Sequence, residues 1–470
     1  MRNFLKNFLL SESIIRDSVS RLMIIVIGLG LIPGPVGRAQ ATELATRGQQ
    51  GTAAAQASAV TEFDVNGLKV LIKKRSSSQT VAAGLYFRGG TSNTTAKNVG
   101  IEGMMLDAAA EASTHFTREQ VHAEFSRQAS GVTGTAGLDY SALVMGSTAS
   151  GFTRTWEIFT DLALNPKFDQ ADLKRLKDVR LAALRAQSTF PESYIEDLQS
   201  RSSYVGHPYL NGPAGTIESI SRLTVSDLKQ YHKQMLQSSR MLLVVVGDVD
   251  TAALRTQVEA AFGHIPKGTY KPAAPPALSF ANPTVEVTPR TLPTNYIQAF
   301  YAAPALTSPD IYPMTIANEF LQSFVYQEVR VVRNLSYAPD AFVRTQGANV
   351  GGISVTAVDA NRAVGVMLDQ IGLMQENQFR EEIVTRVVNS YLTKYYMEHE
   401  TNGEQVAELA EYELIGGGWR NSLNLFEKLG QVTSEDIQRV MRKYVRNLQF
   451  VVIGDPNAIN KEIFIRQTVS

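Results

Sequence analysis

The chain has 470 residues, of which 44% are hydrophobic, and its 45 Lys and Arg residues balance 45 Asp and Glu residues. This length and composition predict a globular protein of two or more domains, and the zero net charge excludes the basic surface that nucleic-acid binding needs. Because the chain contains no cysteine, its fold must rest on hydrophobic cores and not on disulfides.

The N-terminus has the pattern of a signal peptide. Four basic residues precede an apolar run of eleven residues at 22–32, and Ala39-Gln40-Ala41 follows as a small-x-small cleavage site. The run is shorter than a membrane span needs. We therefore expect residues 1–41 to be a signal peptide, residues 42–61 to be a disordered leader, and the protein to be exported, for example to the periplasm. Membrane contact follows only if the signal segment stays uncleaved.

The first folded elements are strands. Asn66-Gly67 accepts positive φ at both turn positions, so residues 63–72 predict a β-hairpin. Further strands are predicted at 81–87 and 141–145. Helical patterns follow, ending with a helix capped by Ser226 and a buried strand, 241–246, closed by Gly247-Asp248; the earlier helices are predicted at 153–164, 171–187 and 193–204.

Residues 98–114, NVGIEGMMLDAAAEAST, predict a helix after the strand at 81–87. Asp107 and Glu111 lie four residues apart on one face of it. They are either a residual metal site or a solvated acidic face, and we favour the second because two carboxylates alone complete neither zinc ligation nor water activation. His115, Glu119 and His122 form another potential ligand set. However, the capping box Thr117-Arg118-Glu119-Gln120 starts a new helix at about Arg118 and leaves His115 in the preceding loop.

A unit of amphipathic helix and Val-rich strand occurs twice, at residues 223–250 and 432–457, each time with a capping serine and a terminal Gly-Asp. Residues 296–302 and 311–333 likewise parallel the strand at 81–87 and the helix after it. A repeat at the scale of half the chain indicates two homologous domains. The proline-rich residues 268–284 between the halves exclude regular helix and central strand, and we predict a linker there.

Residues 327–337, QEVRVVRNLSY, place Arg330 near the end of a helix and Tyr337 at the start of the next strand. Asn334 can adopt the left-handed conformation that ends a helix. Such an arginine and tyrosine are ordinary structural residues in many folds. Seven positions apart across this turn, they can also face one cleft.

These motifs together resemble the M16 family of peptidases (pitrilysin, insulinase, mitochondrial processing peptidase). Residues 98–114 are similar to its Gly-Leu-Ala-His-x-x-Glu-His-Met-Leu helix, residues 206–219 to its His-Pro-Tyr…Gly-Thr-x-Glu-Ser loop, and residues 327–337 to its Glu-x-Arg-x-x-x-Gly-Leu-x-Tyr. The resemblance covers about residues 62–457. It implies an α+β fold of two homologous M16-type domains, 62–267 and 285–470, each a mostly antiparallel sheet with helices packed on one face, which close like a clam shell.

The zinc-binding residues of the family are missing. Here Gly103 and Asp107 occupy the positions of the family's two histidines, and Leu106 occupies the position of its water-activating glutamate. Leu176 occupies the position of its third ligand, which follows an Asn-Pro-x-Phe turn. A zinc peptidase needs three protein ligands and a carboxylate beside the bound water. The resemblance therefore implies a degenerate zinc site, with no metal and no cofactor in this chain.

Arg330 and Tyr337, by contrast, match the family pattern. In the family the tyrosine hydroxyl stabilises the developing oxyanion at the zinc site of the opposite domain, and the arginine holds the peptide backbone. The family's Gly-rich loop before this helix end is contracted here to Leu321-Gln322-Ser323-Phe324. The family's edge strand pairs with extended peptide, and its residues here are Gly131, Val132, Thr133, Gly134, Thr135 and Ala136.

The family includes two-subunit enzymes in which one subunit carries zinc and the other carries only the arginine and the tyrosine. We therefore predict an exported, non-zinc-binding subunit that is inactive alone and forms a heterodimer with a zinc-bearing M16 partner to cleave peptides. The alternative is a catalytically inactive peptide-binding or scaffold protein, such as a homodimeric chaperone.

Overall fold

A computed structural model describes residues 57–466 of the chain. The expected signal peptide and most of the expected leader lie outside the described residues. The first strand begins at Val60, which pairs with Lys73, so the ordered fold starts inside the predicted leader 42–61. Within residues 57–466, no helix combines the length and the apolar character that a membrane crossing requires.

The first sheet has six strands in the order β1-β2-β6-β3-β5-β4, and only β2 and β6 are parallel. The predicted hairpin at Asn66-Gly67 is confirmed, with φ of 52° and 93°. The strands are β1 (Val60–Val65), β2 (Leu68–Lys74), β3 (Thr80–Arg88), β4 (Gly131–Ala136), β5 (Tyr140–Thr148) and β6 (Met241–Gly247).

Helices of the N-terminal half pack mainly on one face of this sheet, around a core that includes Phe159, Leu228 and Phe262. They are α1 (Ile101–Ala109), α2 (Arg118–Gln128), α3 (Phe152–Leu164), α4 (Gln170–Gln187), α5 (Pro191–Ser203), α6 (Ile217–Arg222), α7 (Val225–Met235) and α8 (Thr251–Phe262). The capping box predicted at Thr117 and Gln120 is confirmed at the start of α2.

The second sheet has five strands in the order β7-β11-β8-β10-β9, with β7 and β11 parallel. Its strands are β7 (Thr284–Pro289), β8 (Asn295–Ala302), β9 (Asp340–Val343), β10 (Val350–Ala357) and β11 (Gln449–Gly454). Its helices are α9 (Ile311–Val325), α10 (Ala360–Glu376), α11 (Glu381–Glu398), α12 (Asn402–Ile415), α13 (Leu425–Gly430), α14 (Ser434–Tyr444) and α15 (Lys461–Phe464).

The internal repeat is confirmed by topology. In order and direction, strands β7, β11, β8, β10 and β9 of the second sheet match β2, β6, β3, β5 and β4 of the first. Residues 266–283 between the two sheets form neither helix nor strand. The boundaries 62–267, 268–284 and 285–470 that we assigned to the two domains and the linker remain predictions.

The predicted capping serines are wrong. α7 is capped by Thr224 together with Asp227, and α14 by Thr433 together with Asp436, so Ser226 and Ser434 already lie inside their helices. In each capping box the threonine hydroxyl accepts from the N–H three residues on, and the aspartate accepts from the threonine N–H. The repeat therefore extends to the capping chemistry, Thr-x-x-Asp in both halves.

One helix from each half packs on the sheet of the other half. On the second sheet, Ile195 of α5 contacts Val451 and Ile453 of β11. On the first sheet, α12 covers the face opposite to the main core, through Val406, Leu409 and Ala410, which join a cluster with Leu71, Leu242 and Val244. The predicted α+β class with two M16-type domains is confirmed, and this exchange of helices is a feature that the sequence pattern did not indicate.

Candidate functional site

The zinc-site positions of the first half lie on α1 and α4. α1 begins after Gly100, whose φ of 87° is left-handed, and presents its buried residues to the core. Leu106 is 2% exposed, and Leu176 of α4 packs against the same core. Both leucines are apolar packing residues. The chain therefore has no carboxylate at Leu106, the position of the family's water-activating glutamate, and no ligand atom at Leu176, the position of its third zinc ligand.

An ion pair occupies the space between Gly103 and Asp107, the two positions that are histidine in the family. The Arg180 Nη2 lies 2.7 Å from Asp107 Oδ2. The same nitrogen would lie 3.9 Å from a Cβ placed on Gly103. Burial raises the pKa of the Asp107 carboxyl, and the Arg180 guanidinium opposes that shift. A guanidinium from α4 thus provides positive charge where the family has a metal ion.

The residues present do not fit a zinc ion. Of Gly103, Leu106, Asp107 and Leu176, only Asp107 has a ligand atom, and that carboxylate is engaged by Arg180. In the part of the chain that the structure describes, no group of three or more His, Cys, Asp or Glu side chains is arranged to hold a metal.

The favoured interpretation of Asp107 and Glu111 as a solvated acidic face is wrong. Glu111 Oε2 lies 2.6 Å from Arg118 Nε, and its Oε1 lies 2.5 Å from Arg175 Nη2. Burial opposes ionisation of Glu111, but the hydrogen bonds from Arg118 and Arg175 outweigh it and lower its pKa. The two carboxylates are therefore neutralised by arginines of neighbouring elements, which sequence spacing within one helix could not show.

His115, Glu119 and His122 do not converge. His115 Nδ1 lies 2.8 Å from Asp161 Oδ1, whereas His122 Nε2 lies 3.7 Å from Glu111 Oε2. Glu119 is in the first turn of α2, which starts at Arg118, and His115 lies before that helix as predicted. Among the described residues these three side chains are not arranged to hold a metal together.

Strand β4, the proposed peptide-binding strand, lies at an edge of the first sheet. Gly137 N–H donates to Tyr140 O, so the alternate residues Val132, Gly134 and Ala136 direct their backbone groups away from β5. A Cβ on Gly134 would lie 2.7 Å from Leu106 Cβ, which explains the need for glycine there. Thr133 is exposed, and Gly131 and Thr135 are partly exposed.

The equivalent edge strand of the second sheet, β9, is covered by side chains. Ala341 N–H donates to Gln322 Oε1 at 2.6 Å, and Asn318 Nδ2 donates to Ala341 O at 3.2 Å. No such hydrogen bond reaches the outward backbone groups of β4 from any residue in 57–466. Of these two edges, β4 is therefore the one open to an added strand.

Arg330 lies in a π-helical segment, Tyr326–Val332, that continues α9. Residues 321–324, expected to be the remnant of a Gly-rich loop, are part of α9 itself. The predicted left-handed conformation of Asn334 is confirmed, with φ of 51°, and Leu335 N–H donates to Val329 O at 2.8 Å to close the helix end.

Tyr337 does not start the next strand. β9 begins three residues later, at Asp340, because Ala338 N–H donates to Ser336 Oγ and Pro339 has no N–H to pair. The Tyr337 side chain is 69% exposed. The Arg330 guanidinium lies over its ring, 3.8 Å from the centroid. Arg330 and Tyr337 thus form one cationic and aromatic surface.

The structure does not join this surface to the zinc-site positions. No hydrogen bond, ion pair or ring contact between residues 57 and 466 connects Arg330 or Tyr337 with Gly103, Leu106, Asp107 or Leu176. Sequence reasoning missed two neighbours of these sites, Arg180 and Tyr326. The sequence spacing could have indicated both neighbours. Leu176 and Arg180 are four residues apart, as are Tyr326 and Arg330, and this spacing places each pair on one helix face.

Comparison with known proteins supports the resemblance to the M16 family. The model of the peptidase M16 inactive domain matches residues 222–391. Subunit 1 of the mitochondrial cytochrome b-c1 complex of Mus musculus is 20% identical over 259 residues, which are 54% of this chain and 54% of the mouse protein. The match thus spans about half the length of that relative. An uncharacterized zinc protease of Mycobacterium leprae is 22% identical over 65% of this chain and 71% of its own.

Solved structures share the fold. The peptidase M16 inactive domain from Pseudomonas fluorescens superposes with a TM-score of 0.78 at 16% identity, covering 84% of this chain and 98% of its own. The periplasmic protease PqqL from Escherichia coli gives 0.70 at 12% identity, covering 84% of this chain and 45% of its own. The duplicated sheets, the helix at the zinc-site positions and the match to the inactive-domain model agree with the M16 peptidase fold, and the chain resembles that family without its His-x-x-Glu-His motif.

Proposed function

We propose that this chain is the non-zinc subunit of a two-subunit M16 peptidase, to which it supplies Arg330 and Tyr337. A zinc-bearing M16 partner would provide the metal and the activated water. In this role the chain is inactive alone and binds and orients peptide substrates in the complex.

The observation that carries the proposal is the contrast between the two halves. In the first half, the Asp107–Arg180 ion pair and two packed leucines replace every metal-binding position. In the second half, Tyr337 stays exposed, and Arg330 has no carboxylate partner within residues 57–466. The first half has thus lost the metal-binding groups, whereas the second half keeps an arginine and a tyrosine that a ligand can reach.

The chemistry of the pair suits a peptide bond under attack. The Tyr337 hydroxyl can donate a hydrogen bond to the oxyanion that develops on the scissile carbonyl. The Arg330 guanidinium lies over the Tyr337 ring and has no carboxylate partner within residues 57–466, so its N–H groups can donate to a peptide carbonyl or carboxylate. Tyr337 therefore acts in the transition state, and Arg330 acts in binding and orientation.

The open edge of β4 supports a docking place for extended peptide. An added strand would pair with the outward backbone groups of Val132, Gly134 and Ala136. The small residues at 134 and 136 keep that edge accessible to another backbone. A bound peptide located away from residues 131–136 would contradict this part of the proposal.

Export is also part of the proposal. The basic N-terminus, the apolar run at 22–32 and the cleavage pattern at residues 39–41 support a signal peptide, and the absence of cysteine is compatible with an oxidising compartment. One structural neighbour is a periplasmic protease. We place the mature protein in the periplasm.

The scaffold alternative has one specific observation in its favour. Relatives by sequence include subunit 1 of the mitochondrial cytochrome b-c1 complex, which is one chain of a multi-subunit assembly. A scaffold protein would bind a partner or a second copy of itself without changing peptide hydrolysis.

Reconstitution separates the two functions. The chain and a candidate zinc-bearing M16 protein from the same organism are purified singly and together, and each sample is assayed for zinc and for hydrolysis of a quenched fluorescent peptide. We expect hydrolysis by the complex and not by this chain alone. A stable complex whose peptidase activity equals that of the partner alone would favour the scaffold.

A further inference from the structure

We propose that Tyr326 is a positioning residue that holds the Arg330 guanidinium in place for peptide binding. The inference rests on the proposed function, since it concerns how the chain presents Arg330. The two can nevertheless be tested separately, because the position of Arg330 is measurable in the chain alone.

Two aromatic rings contact the Arg330 guanidinium. Its central carbon lies 5.0 Å from the ring centroid of Tyr326 and 3.8 Å from that of Tyr337. Tyr326 precedes Arg330 by four residues in the π-helical segment, and Tyr337 follows it by seven across the turn at Asn334. The backbone thus brings one ring from each side of the turn to the same cation.

No carboxylate holds Arg330 in the described part of the chain. Glu328, the acidic residue of the same segment, hydrogen-bonds to Arg333 instead. The rings are therefore what fixes the guanidinium, at about 0.5–1 kcal/mol for each exposed cation–π contact. An ion pair would have consumed the N–H groups, whereas stacking leaves them free for a ligand.

The two rings differ in how firmly they are held. Tyr337 is 69% exposed, so the fold covers little of its ring. Tyr326 is only partly exposed and lies between Val325 and Val329, which are fully buried. Tyr326 is therefore the ring that the fold holds more firmly, and we take it as the one against which Arg330 is oriented.

Arginine modification by phenylglyoxal tests the proposal in the isolated chain. The modification rates of Arg330 and Arg333 are followed by peptide mass spectrometry in the wild type and in the Tyr326→Leu and Tyr326→Phe variants. From the size of one cation–π contact, we expect Tyr326→Leu to raise the rate at Arg330 about two- to fivefold. Tyr326→Phe, which keeps the ring face, should remain close to the wild type, and the rate at Arg333 should not change.

Two results would overturn the proposal. One is an unchanged rate at Arg330 in Tyr326→Leu. The other is an equal rise at Arg330 and Arg333, because that would show loss of the whole segment instead of loss of one contact. Tyr396→Leu is the control, since Tyr396 is a helical tyrosine of the C-terminal half that stacks on Phe426.

The reconstituted peptidase gives the functional counterpart. There, Tyr326→Leu should raise KM with little change in kcat, and Tyr326→Phe should restore the wild-type KM. A purely structural role would instead lower the amount of active complex and leave KM unchanged. If the wild-type pair shows no activity, the proposed function fails, whereas the phenylglyoxal rates still decide whether Tyr326 positions Arg330.

Discussion

At the scale of single residues, the Tyr337 hydroxyl is the group whose loss should separate catalysis from stability. In the reconstituted pair we expect Tyr337→Phe to lower kcat about a hundredfold. Loss of one hydrogen-bond donor to the oxyanion typically raises the activation free energy by about 3 kcal/mol. The melting temperature should not change, because the hydroxyl has no hydrogen-bond partner among residues 57–466. Tyr396→Phe, a second exposed tyrosine, is the control. An unchanged kcat would refute the complementing-subunit mechanism.

Zinc content provides a second prediction about single residues. We expect no stoichiometric zinc in the purified chain after dialysis against a weak chelator, and none in the Gly103→His, Asp107→His double variant. A Cβ at residue 103 meets only ordinary contacts. Leu106 and Leu176 still lack carboxylates, however, and Arg180 still occupies the space. One zinc per wild-type chain, by elemental mass spectrometry, would contradict this prediction.

The Asp107–Arg180 ion pair should behave as one energetic unit. Its side chains are 28% and 30% exposed, so removing either partner should cost less than for a fully buried pair, about 2 kcal/mol of unfolding free energy. The double alanine variant should cost clearly less than the sum of the single variants. Urea denaturation of the four proteins measures this coupling, and strict additivity would show that the pair contributes nothing.

At the scale of elements, the docking of α12 on the first sheet should depend on pH. Burial raises the pKa of Glu408 to about 7, and Lys73 of β2 opposes the shift. The Tyr395 hydroxyl of α11 donates to the same carboxylate, and burial lowers the pKa of Lys73. The folded state therefore favours the protonated form of Glu408. The resulting contribution to the unfolding free energy is fully present below the ordinary carboxyl pKa of 4.5 and is lost as the pH rises to about 7.

We accordingly expect the unfolding free energy to fall by up to about 3 kcal/mol from pH 4.5 to pH 7 through this one group. Glu408→Gln introduces a side-chain amide that is neutral at every pH, so it should remove this fall in the unfolding free energy. Urea titrations at several pH values check the prediction. A Glu408→Gln variant with the same pH dependence as the wild type would contradict it.

Sequence patterns predicted the elements that are determined locally. The hairpin at Asn66-Gly67, the capping box at Thr117 and the left-handed Asn334 each depend on residues within a few positions of one another. The π-helical geometry of Tyr326–Val332 and the ion pairs of Arg180 and Arg175 depend on which elements meet in space. The caps of α7 and α14 were misassigned because serine and threonine both occur there and only the geometry selects the threonine.

At the scale of the whole molecule, the exchange of α5 and α12 should make each half dependent on the other. If the chain is divided in the 268–283 segment, each fragment lacks the helix that covers one face of its sheet. We expect both fragments to aggregate when expressed singly and to form a soluble complex when expressed together. Size-exclusion chromatography and circular dichroism check this, and cooperative melting of either fragment alone would contradict it.

The two-domain class and the repeat could be predicted from the sequence because they depend on hydrophobic periods and on a motif that recurs at half-chain distance. The exchange of helices could not be predicted from the sequence, because α5 and α12 have the same amphipathic pattern as helices that pack on their own half. Gln199 shows the difficulty, because its partner is the carbonyl of Gln449 in β11, 250 residues away in sequence.

The position of α12 also constrains the order in which the protein can mature. A chain that emerges from its N-terminus completes the first sheet with β6, at Gly247, whereas the helix that covers the second face of this sheet begins only at Asn402. During that interval the apolar side chains Leu71, Leu242 and Val244 face solvent. A nascent chain should therefore bind holdase chaperones until α12 is available, and its release from them should coincide with completion of the C-terminal half.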